Sequence, residues 1–320
     1  MTPLDVGHEA LEAEQRIRAL IRETPLEYSP LLSRRGGCEV YLKLENLQIT
    51  GSFKLRGAMN SLLSLQAEAR GRGVVTASSG NHGVAVAHAM KTLGCEGTIY
   101  LPENASPAKV RDLRSYGVDL RFWGNDCVEA EKVARQTAEQ QQKVFISPYN
   151  DPKVIGGQGT IGIELERQLG DIDAALVPVG GGGLISGIAG YLKSVDESIE
   201  IVGCQPQRSA AMYESIKAGR IVDIPSLPTL SNGTAGGIEP GSITLKVCQA
   251  CVDDFVLIGE EEIKAAIRLM LEEHHLLIEG AAALAVATFL ELGDRLEHKK
   301  VVLIISGSRI SVEDLKEVIR

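Results

Sequence analysis

The sequence predicts an α/β protein of two domains, each an open, mostly parallel twisted sheet flanked by helices. Three observations lead there. At 320 residues the chain exceeds the roughly 100–200 residues of an ordinary single domain. Short β-rich apolar runs alternate almost throughout with segments of helical spacing, the pattern of strands joined by crossover helices. The composition, 44% hydrophobic and 23% charged with 34 glycines and 4% aromatics, suits a globular chain with many tight loops.

Taken in order, the strand-like runs are Val40–Leu44, Gly73–Ala77, Gly97–Leu101, Asp119–Trp123, Val144–Ile146, Ala174–Val179, Ile199–Cys204, Phe255–Ile258 and Lys300–Ile305. Between them, segments such as Val128–Gln142 and Glu261–His274 repeat Leu, Ile, Ala and Val every three or four positions, which is helical spacing. No repeat, low-complexity tract or Pro/Gly/Ser-rich linker marks a boundary. The self-contained stretch 73–149 is expected to be a small domain inserted into a larger one formed by 1–72 and 150–320.

The charge sum, 33 − 42 = −9, leaves no basic surplus for phosphate backbones, and few aromatics are present for stacking, so nucleic acid is not an expected partner. No uninterrupted apolar run reaches the roughly 18 residues of a membrane span. The acidic start, Met1-Thr2-Pro3-Leu4-Asp5, shows no secretory signal. Six scattered cysteines (Cys38, Cys95, Cys127, Cys204, Cys248, Cys251) fit reduced thiols in the cytoplasm. Cys248 and Cys251 form a CxxC with no second pair to complete a zinc site, and they read as buried thiols.

Four motifs carry chemistry. The apolar run Ala174–Val179 leads into Gly180-Gly181-Gly182-Gly183-Leu184 and then an apolar helix. Successive glycines let main-chain N–H groups converge on one point beside a positive helix end, which suits a phosphate. The dinucleotide spacing GxGxxG fails, since Ile185 and Ser186 stand where its last glycine belongs, and no Gly-Lys pair supplies a Walker loop. In Thr50-Gly51-Ser52-Phe53-Lys54-Leu55-Arg56-Gly57, Thr50 or Ser52 is expected to cap a helix whose first turn carries Lys54. A lysine there loses proton affinity and becomes a candidate for attack on a carbonyl; Arg56 is either a second cation depressing it or a surface charge.

The third motif, Ser78-Ser79-Gly80-Asn81-His82-Gly83, follows a strand and opens a small-residue helix, Val84–Met90. Its hydroxyls and N–H groups suit a carboxylate, Asn81 is a donor, and His82 reads as a structural histidine because no Ser/His/Asp triad surrounds it. The fourth is Ser306-Gly307-Ser308 after the apolar C-terminal strand. Ser306 there is either a helix cap or a neutral hydroxyl for a ring nitrogen.

Together with Asp151-Pro152, Gly157-Gln158-Gly159-Thr160 and Ile278-Glu279-Gly280-Ala281-Ala282, these motifs closely resemble the pyridoxal-phosphate enzymes of the tryptophan-synthase β-subunit fold. Within that fold the chain is most similar to the threonine/serine dehydratase and serine racemase branch, over nearly its whole length. The resemblance implies that Lys54 forms the internal aldimine with pyridoxal 5'-phosphate, with Phe53 beside the cofactor ring and Asn81 donating to its 3′-oxygen. It implies that Gly180, Gly181, Gly182, Gly183 and Leu184 cradle the phosphate and that Ser306 meets the pyridine nitrogen. The loop Ser78, Ser79, Gly80, Asn81, His82 would bind the substrate carboxylate. A mobile small domain and a homodimer are also implied.

The expected activity is an ammonia-lyase (dehydratase) reaction on L-threonine, L-serine or a related β-hydroxy amino acid. The alternative is amino-acid racemisation with Lys54 and Ser79 as the two acid/base groups, since many similar dehydratases carry Ala at the Ser79 position. Several departures bear on substrate. Gln205 and Ala211 stand where cation-binding relatives have carboxylates, so no metal site is expected. Ser308-Arg309 replaces a more usual Gly-Asn, and Ser147-Pro148-Tyr149 replaces a His-Pro-Phe-like stretch. The loop Ser231–Glu239 resembles dehydratases of modified substrates, such as 3-hydroxyaspartate, phenylserine or hydroxyectoine-derived compounds. With Arg320 last, a C-terminal regulatory domain and isoleucine feedback are not expected.

Overall fold

A computed structural model describes residues 1–320 and holds ten strands in two sheets. The strands are β1 (Leu26–Tyr28), β2 (Glu39–Lys43), β3 (Val74–Ala77), β4 (Gly97–Leu101) and β5 (Asp119–Phe122), then β6 (Val144–Phe145), β7 (Ala174–Pro178), β8 (Glu200–Pro206), β9 (Asp254–Ile258) and β10 (Lys300–Ile304). The larger sheet has the order β1-β2-β10-β7-β8-β9, and the smaller β5-β4-β3-β6. Every pairing is parallel except β1 with β2. The fold is the tryptophan-synthase β-like α/β architecture with two helix-flanked sheets.

Nine strands lie within a residue or two of the apolar runs. The tenth, β1, carries no such run: Leu26-Glu27-Tyr28 is a short antiparallel edge strand with Glu27 and Tyr28 exposed, so neither alternation nor burial announces it.

The larger sheet buries both faces, and successive residues of its central strands divide between two cores. Ala175, Val177, Val302 and Ile304 face the helices Pro3–Ile17, Pro152–Gln168, Gly183–Val195 and Ile243–Cys251. Ala174, Leu176, Val301 and Leu303 face the helices Glu260–Glu273 and Gly280–Leu292. This explains why these strands read as continuous apolar runs. Cys248 and Cys251 are buried within the first core, where burial pushes the Cys248 thiol up to about 12. No helix is long and apolar enough to cross a membrane.

The smaller sheet is covered on one face by the helices Asn81–Leu93 and Pro107–Arg114, and on the other by Cys127–Gln140. The helix Lys54–Ser64 belongs to the first of these layers: Leu55, Ala58, Met59 and Leu62 pack with Val84, Val86 and Met90. At about 1.5–3 kcal/mol for each large apolar side chain, this packing ties the start of that helix firmly to the smaller unit. The loops after β3, β7 and β10 all leave the carboxyl ends of their strands, where open α/β sheets form crevices.

Candidate active site

Lys54 is the first residue of its helix. The turn before it is stitched to the chain after β10: Phe53 N donates to Ser306 O (3.1 Å), Ser52 bridges Gly307, and Ser308 N donates to Gly51 O (3.0 Å). Neither Thr50 nor Ser52 caps the helix. Phe53 occupies the cap position without a side-chain bond, and the Thr50 and Ser52 hydroxyls are buried without partners.

Lys54 Nζ donates to Pro148 O at 2.8 Å and lies 5.1 Å from the centroid of the Phe53 ring. Burial lowers its pKa to about 8, with the Glu279 carboxylate acting in the opposite sense. Arg56 plays no part in this and is not a surface charge. Fully buried, it donates to Glu45 (2.8 Å), Glu164 (2.7 and 2.8 Å) and Thr160 (3.0 Å), in a cluster that also holds Lys43. Helical periodicity explains this, since a residue two positions from Lys54 points to another side of the helix.

The third motif meets Lys54 from the smaller unit. Asn81 Nδ2 donates to both oxygens of Glu279, at 2.9 and 3.0 Å, and Asn81 Oδ1 is buried without a partner. Glu279 also accepts from the main-chain N–H of Arg309 at 3.0 Å. Burial raises its pKa, while Asn81, Arg309 and Lys54 act to lower it.

His82 is turned away from the loop. Its Nε2 lies 3.0 Å from Thr76 Oγ1 and 3.1 Å from Ile146 O, and burial lowers its pKa to about 3. It is neutral at ordinary pH and structural, so only its main chain faces the cleft-side turn. A side chain on Gly83 would collide with Ser78 O, which keeps the turn tight.

After β7, the main-chain N–H groups from Gly180 to Ile185 find no acceptor in the protein, and the helix Gly183–Val195 begins there. Gly182 has φ +88°, in the left-handed region. A Cβ on Gly181 would stand 2.5 Å from the Tyr149 ring, and one on Gly180 would stand 2.9 Å from Thr234 Cα. The glycines are therefore required by close packing of Tyr149 and Thr234, and the free N–H groups form an anion cradle. Ser306 is buried at the end of the adjoining strand, and its hydroxyl bonds to nothing in the protein.

These features fit pyridoxal phosphate: unpaired N–H groups for a phosphate, a buried lysine of lowered proton affinity for a carbonyl, and a free neutral hydroxyl for a ring nitrogen.

Two residues carry more of the site than the sequence reading gave them. Glu279 stands at the start of an apolar helix, where a carboxylate reads as an ordinary exposed cap. Tyr149 roofs the glycine loop, and its hydroxyl accepts from Glu239 N at 2.9 Å, fixing the loop 231–239 against it. The only sequence signal for either was its departure from, or membership of, a motif with no stated role.

Comparison with known proteins agrees with this geometry. The family model described as pyridoxal-phosphate dependent enzyme matches residues 17–307. The chain is 41% identical over 308 residues to an L-threonine ammonia-lyase of Thermotoga maritima, covering 96% of this chain and 76% of that one. It is 37% identical to the catabolic L-threonine dehydratase of Escherichia coli, covering 96% and 94%. Among solved structures, maize serine racemase superposes with a TM-score of 0.92 at 33% identity, covering 98% and 96%.

Proposed function

The chain belongs to the pyridoxal-phosphate dependent enzymes, and we propose that it is an ammonia-lyase converting L-threonine, L-serine or a related β-hydroxy amino acid to a 2-oxo acid and ammonia. The observation that carries this reading is Lys54, a buried amine whose Nζ donates to Pro148 O, the residue before Tyr149, whose ring packs on a glycine loop with unpaired N–H groups. The ammonia-lyases that match almost the whole chain direct it to β-hydroxy amino acids.

In this reading Lys54 would hold the cofactor, with Phe53 beside its ring, Asn81 on its 3′-oxygen, Ser306 on its pyridine nitrogen, and Gly180 to Leu184 around its phosphate. Pyridoxal phosphate supplies an electron sink for the charge left at Cα when a proton is removed. The chain supplies the rest. N–H groups and hydroxyls of Ser78 to His82 hold the substrate carboxylate at a helix start. The neutral Lys54 amine takes the Cα proton. Ser306 offers a hydroxyl rather than a carboxylate, so it would not stabilise a positively charged ring nitrogen.

The test is a visible spectrum of the protein with its cofactor, before and after L-threonine and L-serine, with released 2-oxo acid counted. The wild type should show a cofactor band and turnover, and Lys54→Ala should lose both. A Lys54→Ala variant that keeps full turnover would overturn the assignment.

Ser79 carries a second reading, as an amino-acid racemase, since a hydroxyl there would give the second acid/base group beside Lys54. D-serine formed by the wild type and lost on Ser79→Ala, with 2-oxo acid release kept, would establish it. The family resemblance extends to a homodimer, which light scattering tests. Six unpaired cysteines fit the reducing cytoplasm.

A further inference from the structure

Only two side-chain ion pairs join segment 73–149 to the rest of the chain. Arg135, on the helix Cys127–Gln140, reaches Glu239 at 2.6 Å. Arg309, after β10, reaches Asp112 on the helix Pro107–Arg114. These helices cover opposite faces of the smaller sheet, so the two pairs fasten the unit from both sides.

The Arg309 pair does more than fasten. The main-chain N–H of the same residue donates to Glu279, whose two oxygens receive Asn81 Nδ2. Asn81 opens one helix of the smaller unit, and Asp112 lies on the next helix in sequence, within the same apolar layer. One residue of the larger unit thus holds two neighbouring helices of the smaller one, the first through a carboxylate and the second directly.

We propose that Arg309 is a positioning residue for the site. Its guanidinium on Asp112 and its main-chain N–H on Glu279 together hold Asn81 and the Ser78–His82 loop against the Lys54 side of the cleft. The guanidinium makes the one side-chain ion pair between the helix Pro107–Arg114 and the larger unit, so its loss leaves that helix held by apolar packing within its own layer. Both side chains of the pair are about one-third exposed, at 29% and 35%, so the expected effect is modest and sensitive to salt.

The experiment pairs kinetics with amide hydrogen exchange. Arg309→Gln should raise KM for L-threonine about two- to five-fold while kcat changes less, because the binding-competent arrangement is less populated. Exchange across 107–114 should quicken in the protein without cofactor or substrate. Asp112→Asn should reproduce both effects, and the double variant should add nothing to either single one. Exchanging the charges, Arg309→Asp with Asp112→Arg, should recover protection. Wild-type KM should rise with ionic strength, and that of Arg309→Gln should not.

Unchanged exchange across 107–114 in both single variants would overturn the proposal. So would a double variant whose KM is the product of two independent effects. The kinetic arm rests on the lyase reading; the exchange arm does not, so an enzyme inactive on L-threonine leaves the positioning role testable by exchange alone.

Discussion

The two oxygens of Glu279 lie 2.9 and 3.0 Å from one nitrogen, Nδ2 of Asn81, across the boundary between the two sheets. That carboxylate also acts on Lys54, raising a proton affinity that burial has lowered. One acid therefore both holds the amide and sets the lysine.

Glu279→Gln removes the charge and leaves burial of Lys54 unopposed, so the Lys54 pKa should fall below its value of about 8. Capture of pyridoxal phosphate by cofactor-free protein needs the unprotonated amine. Its rate should climb with pH, with a midpoint of about 8 in the wild type and at lower pH in Glu279→Gln. Stopped-flow absorbance between pH 6 and 9.5 measures this, and a midpoint moved upward would contradict the geometry.

Glu164 receives Lys43 (2.6 Å), Arg56 (2.7 Å) and Arg18 (2.6 Å), and it is fully buried, as are Lys43, Arg56 and Glu45. Glu164→Gln leaves buried cations short of a counter-charge, at a cost of about 3–5 kcal/mol. Urea denaturation should show this as a lower midpoint with an unchanged slope.

The same cluster predicts an acid limit. Its cations hold Glu164 down to about 2, below its ordinary value of 4.5, so the unfolded chain binds more protons as pH falls between these values. The stabilisation is complete above the unfolded pKa and is lost as pH drops toward 2. The acid limb of stability against pH should therefore flatten in Glu164→Gln.

A methyl group on Gly181 would stand 2.5 Å from the Tyr149 ring. Gly181→Ala should displace Tyr149 or the loop and weaken pyridoxal phosphate binding at least about tenfold, equivalent to about 1.4 kcal/mol. Tyr149→Ala in the same chain should recover part of it. Fluorescence titration of the cofactor-free protein provides both affinities.

Much of this architecture was legible from periodicity, because central strands buried on both faces must be apolar throughout. The glycine run and Ser306 were legible as candidates because each follows an apolar strand, and Lys54 because it opens a helix after a Gly-Ser turn. Arg56 was not: sequence spacing puts it two residues from Lys54, and only three-dimensional packing reveals that it serves Glu45 and Glu164 instead. Thr50 and Ser52 looked like caps because their residue types favour that role, yet the chain enters the helix through a bridge to Gly307. Glu279 and Tyr149 escaped for a different reason. Their partners, Asn81 and Glu239, are 198 and 90 residues away, beyond the reach of any local pattern.

The smaller sheet begins and ends on neighbouring strands: Val74 of β3 is paired with Val144 of β6. The chain therefore enters and leaves this sheet side by side, along one margin, while β5 forms the opposite margin. Trp123, the single tryptophan of the chain, directly follows β5 and is half exposed. The one indole of the chain thus stands at the margin of the smaller sheet farthest from the crossing, where its emission reports the surroundings of that edge without a label.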